Sequence, residues 1–95
     1  MPMIEIGPVS FIDLEAERTV WVPELSIGVI PHGTEVEMNA SIAFIISAPR
    51  TMVDKCLLVC PQVFEGGPLF TTVFNLSNQT VRVKAGEIIS KLVAL

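Results

Sequence analysis

Few residues of this chain carry types and spacings that could do chemistry. Glu35 and Glu37 lie two positions apart with Asp54 further on, and hard divalent cations favour such carboxylate oxygens. Two-residue spacing on a strand also puts both acids on one face, the ordinary pattern of a wetted sheet, so no metal is expected there. His32 is the sole histidine and sits in Pro31-His32-Gly33 without a nucleophile or base at dyad spacing, so it reads as a surface turn residue. Cys56 and Cys60 are the two cysteines. On one strand their Cα atoms would stand about 13 Å apart at roughly 3.3 Å per residue, beyond disulfide reach. Their apolar neighbours predict buried free thiols, and one histidine cannot complete a zinc set. Glu65-Gly66-Gly67 offers a short backbone nest for an anion, or an ordinary glycine-rich hairpin turn. Lys91 is a strand cation that reads as a solvated lysine, with a phosphate contact as the alternative. No Ser/His/Asp order, phosphate loop or Cys/His metal spacing occurs, and no cofactor is expected.

The elements that must position these residues are strands. β-branched or alternating segments occupy residues 3–6, 19–22, 35–38, 41–46, 56–60, 69–74, 80–84 and 87–93. About eight short strands in so small a chain predict an all-β sandwich or barrel. Turn residues separate them at Pro31-His32-Gly33, Ala48-Pro49-Arg50, Glu65-Gly66-Gly67-Pro68, Ser77-Asn78 and Lys84-Ala85-Gly86. Ser10-Phe11-Ile12-Asp13 has capping-box spacing, so residues 10–18 read either as a helical turn or as strand and turn.

Length and composition bound the function. The 95 residues suffice for one domain over 1–95, and a 51% apolar content exceeds what so small an interior hides. A partner subunit is therefore expected, and the strands at 42–46 and 56–60, apolar on both sides, support it. A net charge of −4 with only six Lys and Arg excludes a phosphate-backbone grip on nucleic acid. Apolar runs reach five residues, far short of a membrane span, and the start lacks the basic, apolar order of a signal peptide. A soluble chain is expected, cytoplasmic or in a virion.

The closing third, with Phe64-Glu65-Gly66, a strand through Phe74, Asn75-Leu76-Ser77-Asn78, a strand at 81–83 and Gly86-Glu87-Ile88-Ile89-Ser90-Lys91-Leu92-Val93, resembles the deoxyuridine triphosphatase and deoxycytidine triphosphate deaminase superfamily. Physically it reads as a meander of three strands whose glycines permit the bends. Asp13-Leu14 and Val20-Trp21-Val22-Pro23 are similar to an earlier stretch of that family. The resemblance implies a distorted β-barrel or jelly-roll-like sandwich, a homotrimer, and nucleotide sites between subunits. It also implies where catalysis would reside, and there the chain departs from the pattern. Pro61 stands where the hydrolases keep a water-activating aspartate, and Thr72 where the deaminases keep a glutamate; neither can take a proton. Lys91 replaces a glutamine, no Arg-Ser pair occurs, and the chain stops at Leu95 without a glycine-rich arm.

These residues lead to a dUTPase-like domain without catalysis, acting as a trimeric structural or assembly protein such as a small decorating or connecting component of a viral particle. A nucleotide-binding or sequestering module using Lys91, Glu65, Gly66 and Gly67 is the first alternative. A divergent dUTP or dCTP pyrophosphatase with a relocated base at Asp54 or Glu65 is the second. The interface residues expected are Trp21, Phe44, Ile46, Leu57, Val93 and Leu95.

Overall fold

The computed structural model describes residues 2–95. Alternation of inward apolar and outward side chains builds ten strands and one short helix. They are β1 Met3–Ile6, β2 Ser10–Glu15, β3 Val20–Val22, β4 Ile27–Met38, β5 Ala43–Ser47, α1 Thr51–Lys55, β6 Leu57–Val59, β7 Gln62–Phe64, β8 Gly67–Asn75, β9 Val81–Val83 and β10 Ile88–Ala94. Sheet A has the order β1-β4-β8-β6, sheet B the order β2-β10-β5-β7, and β3 and β9 form a two-stranded third sheet. All pairs are antiparallel except β1 with β4.

Two apolar clusters fill the interior. Ile6, Leu14, Val36, Ile45, Phe64, Leu69 and Leu92 form one, and Val22, Ile30, Leu57, Val59, Val73, Val83 and Ile89 the other. β4, β8 and β10 supply residues to both clusters, so these strands run the length of the core. Between the clusters lie the buried hydroxyls of Thr71 on β8 and Ser90 on β10, 2.7 Å apart, a polar stitch from sheet A to sheet B. Buried polar groups need such partners to avoid a desolvation cost of about 1–3 kcal/mol each.

Several expectations need correcting. Of the two readings of residues 10–18, strand and turn holds and the helical turn does not: Ile12 and Leu14 alternate with Phe11 and Asp13, and that period of two makes β2. Pro31-His32-Gly33 is no break either, since β4 continues through it. Four residue steps from Pro31 to Glu35 stand opposite two from Phe70 to Pro68, so the strand bulges there, and Gly33 supplies the required φ of +70°. The closing strands are consecutive but not a meander, because β8, β9 and β10 belong to three different sheets. The thiols are free but not buried: Cys56 is exposed at φ +54°, capping α1, and Cys60 is half-buried. β7 and α1 had no predicted counterpart of their own type.

Candidate functional site

The start of β10, the helix α1 with the residues leading into it, and the outer side of β2 enclose a cleft of about 320 Å³. A bulge in β10 between Ile88 and Ser90 turns both Ile89 and Ser90 inward and leaves Ile88 and Lys91 facing the cleft. α1 is moored over it by the buried Thr51 hydroxyl, which donates to the Ile89 carbonyl at 2.7 Å, with Ala48 N–H on the same oxygen at 3.2 Å. Three cations and three carboxylates line the walls: Arg50, Lys55, Lys91, Asp13, Asp54 and Glu87.

Each cation is already engaged. Lys91 lies 3.6 Å from Asp13, Lys55 lies 2.9 Å from Glu87, and Arg50 grips Asp54 through two bonds of 2.9 and 3.3 Å. Hydrogen bonding and charge within that last pair raise the Arg50 guanidinium above its ordinary pKa and hold the Asp54 carboxyl below the usual carboxylate range. The cleft is thus electrically balanced. A phosphate could enter only by displacing carboxylates, although exposed ion pairs are worth only about 0–1 kcal/mol and yield readily.

Of the residues expected to bind a ligand, Lys91 alone lines this cleft. Glu65 lines a separate cavity of about 290 Å³ with Met38, Ala40, Ser41, Ile42, Val63 and Phe64. Gly66 and Gly67, at φ +102° and +88°, lead from it into β8. Lys91 and the Glu65 turn therefore do not form one site. Pro61 is exposed between β6 and β7, and Thr72 is half-buried in β8, its carbonyl accepting from Cys60 N–H. No group of three or more His, Cys, Asp or Glu able to hold a metal occurs among the described residues.

The expected interface residues divide three ways. Phe44, Ile46 and Val93 share the outer face of sheet B, where the register sets Phe11, Val93, Phe44 and Val63 in one row across all four strands. Phe11 and Val63 in that row are 69% and 55% exposed, and nothing local marks them as the outward residues, because each adjoins another apolar residue, Ile12 or Phe64. Leu95 is exposed at the end of the same sheet. Trp21 lies elsewhere, 61% exposed on β3, with the Arg82 guanidinium 5.6 Å from its ring centroid. Leu57 must be withdrawn: it is 0% exposed, its side chain being committed to the core cluster with Val59 and Val73.

Reading Pro31-His32-Gly33 as a turn also concealed the role of His32. Its Nδ1 lies 2.6 Å from the Glu15 carbonyl and its Nε2 2.7 Å from Thr71 Oγ1. A carbonyl only accepts, so Nδ1 carries the proton, Nε2 accepts from Thr71, and Thr71 accepts from Ser90. Burial depresses the pKa of this imidazole, outweighing the bond to Glu15.

The longest helix is α1, and no helix among the described residues is long and apolar enough to cross a membrane. No family model matches the chain, and no curated protein sequence does. The crystal structure of a dUTPase from Streptococcus mutans is similar, with a TM-score of 0.81 over 87% of this chain and 74% of that one, at 21% sequence identity. At so low an identity the likeness speaks for architecture alone, and the architecture is an all-β, dUTPase-like fold.

Proposed function

We propose that this chain is a non-catalytic structural or assembly protein that associates with copies of itself. The observation carrying this reading is the apolar row Phe11, Val93, Phe44 and Val63 on the outside of sheet B, a face with nothing packed over it in the single chain. Apolar patches of that kind mark contact surfaces. The catalytic positions point the same way: Pro61 and Thr72 carry no proton-transfer group, and Asp54, clamped by Arg50, is a poor base near neutrality. A trimer fits the resemblance to the dUTPase superfamily, and the short chain, its excess apolar surface and the absent catalytic groups suit a connecting or decorating piece of a larger particle.

Sedimentation of the purified chain tests this directly. A stable oligomer is expected at micromolar concentration, and Phe11→Lys combined with Val63→Lys should shift it towards monomer without lowering the monomer's melting point. A wild-type monomer would overturn the reading.

The second reading is nucleotide binding without turnover, favoured by the convergence of Arg50, Lys55 and Lys91 on one cleft. Thermal melts against deoxynucleotides, with and without Mg²⁺, discriminate. A ligand at about 100 times its Kd adds roughly 2.7 kcal/mol, which moves the midpoint of so small a domain by about 10–20 °C. Lys91→Ala should then erase most of the shift. For the assembly protein the screen stays flat and the same substitution changes stability by less than about 0.5 kcal/mol, since it removes only a long, exposed ion pair.

A further inference from the structure

The outer face of sheet A is a second apolar surface, and its charge differs from that of sheet B. Ile27 and Val29 on β4, Leu58 on β6 and Phe70 on β8 are exposed, with the half-buried Phe74 among them. Register makes them neighbours: Ile27 pairs with Phe74, Phe74 with Leu58, and Val29 with Thr72 beside Phe70. Further along β4, past the bulge, the same outward face becomes acidic. Glu35 and Glu37 alternate with the buried Val36, and the parallel register places Glu5 opposite Glu37. Among the described residues none of Glu5, Glu35 and Glu37 is in an ion pair. From Ile27 to Glu37 the strip runs about 30 Å at roughly 3.3 Å per residue.

We infer that this face docks a different protein, through an extended segment with an apolar block followed by a block of Lys or Arg. The inference rests on the assembly reading above and names the partner's chemistry. Charge complementarity selects the occupant. A second copy presenting the same face would bring carboxylates against carboxylates. Nor does this chain hold more than one uncommitted cation to answer them from another face. Of its six Lys and Arg, Arg18, Arg50, Lys55 and Lys91 are ion-paired and Arg82 is stacked on Trp21, which leaves Lys84 alone. The apolar half supplies the buried centre that contact surfaces require, and the acidic half sets direction and register of the bound segment.

Selection from a random peptide display library, panned in parallel on the wild-type chain and on the triple variant Glu5→Lys, Glu35→Lys, Glu37→Lys, tests the inference. The exposed positions of Glu5 and Glu37 let the variant keep its melting point, which is checked first. Wild type should enrich sequences with apolar residues followed by Lys or Arg. A synthesised winner should shift backbone amides of β4 and β8, bind at least about tenfold more weakly to the variant, and weaken as salt rises. The inference is overturned if no such pattern is enriched, if winners bind the variant equally, or if the shifts fall on sheet B. It is also overturned if Val29→Lys or Phe70→Lys dissolves a wild-type oligomer, since the occupant would then be a second copy. An oligomer that is blind to nucleotides yet selects no basic segment keeps the assembly reading and loses this one, whereas a monomer stabilised by a nucleotide removes the assembly reading itself.

Discussion

Asn75→Asp is expected to cost this chain a large share of its stability. Asn75 ends β8 and is 0% exposed, and its amide nitrogen lies 3.0, 3.1 and 2.8 Å from the carbonyls of Val22, Pro23 and Gln79. Its side-chain oxygen accepts from the Ser77 N–H at 2.9 Å and the Ser77 hydroxyl at 2.8 Å. One amide thus closes the turn at residues 75–79 and fastens the end of β3 to sheet A. Aspartate has the same shape but, when ionised, no donor. It would set a buried negative charge against three carbonyl oxygens, and breaking a buried charge-sensitive network costs about 3–5 kcal/mol. Against a total of about 5–15 kcal/mol for such domains, that is a fall in melting temperature of roughly 12–40 °C. Acid should restore part of it. The introduced carboxyl would have its folded pKa raised by burial, so the stability it permits is present at low pH and is lost as pH rises through that value. Melts of wild type and variant across the acid range check both points, and a midpoint within a few degrees of wild type near neutrality would mean that other bonds hold the turn.

The same residue shows how far sequence could be read. The Asn-centred turn was legible because asparagine beside serine closes turns through its own side chain. That this amide joins sheet A to the third sheet was not legible, since Val22 lies 53 positions earlier and nothing local records it. Strand type and facing followed from alternation: β8 places Leu69, Thr71, Val73 and Asn75 inward as its spacing demands. Strand partnership did not follow, because a short apolar strand such as β9 pairs equally well with any edge until the whole fold chooses β3. α1 left no trace: Arg50 at its N-cap makes no side-chain cap bond, and its five residues adjoin an apolar run that reads as a longer strand. Lys91 was legible as an outward strand cation, whereas the cleft beside it and the pairing of every cation there were not, because Asp13, Asp54 and Glu87 come from separate elements. Gly33 misled for a physical reason, as a positive φ serves a bulge and a turn alike.

Acidification through the histidine range should destabilise the native chain, and His32 should account for it. Neutral His32 completes a one-way chain of bonds from Ser90 to Thr71 to Nε2, with Nδ1 donating to the Glu15 carbonyl. Protonation puts a hydrogen on Nε2 that points at Thr71. The Thr71 hydroxyl must then turn towards Ser90, and the buried Ser90 proton loses its acceptor. That reversal and the burial of charge both oppose protonation, consistent with a folded pKa depressed from the usual value of 6.5. Because the unfolded chain binds the proton more readily, stability is fully present above about pH 6.5 and is lost as pH falls from there towards the folded pKa. Carboxylates titrate mainly below about pH 5 and His32 is the only histidine, so melts between about pH 7.5 and 5.5 isolate it. His32→Gln can still donate to Glu15 and accept from Thr71 but cannot titrate, so its melting point should stay flat over that window while the wild-type value declines. Thr71→Val removes the link itself, leaving Nε2 and the Ser90 hydroxyl unmatched, and should cost about 1–3 kcal/mol at pH 7.5. If His32→Gln and wild type decline in parallel, the titrating group lies elsewhere and the stitch between the sheets is indifferent to pH.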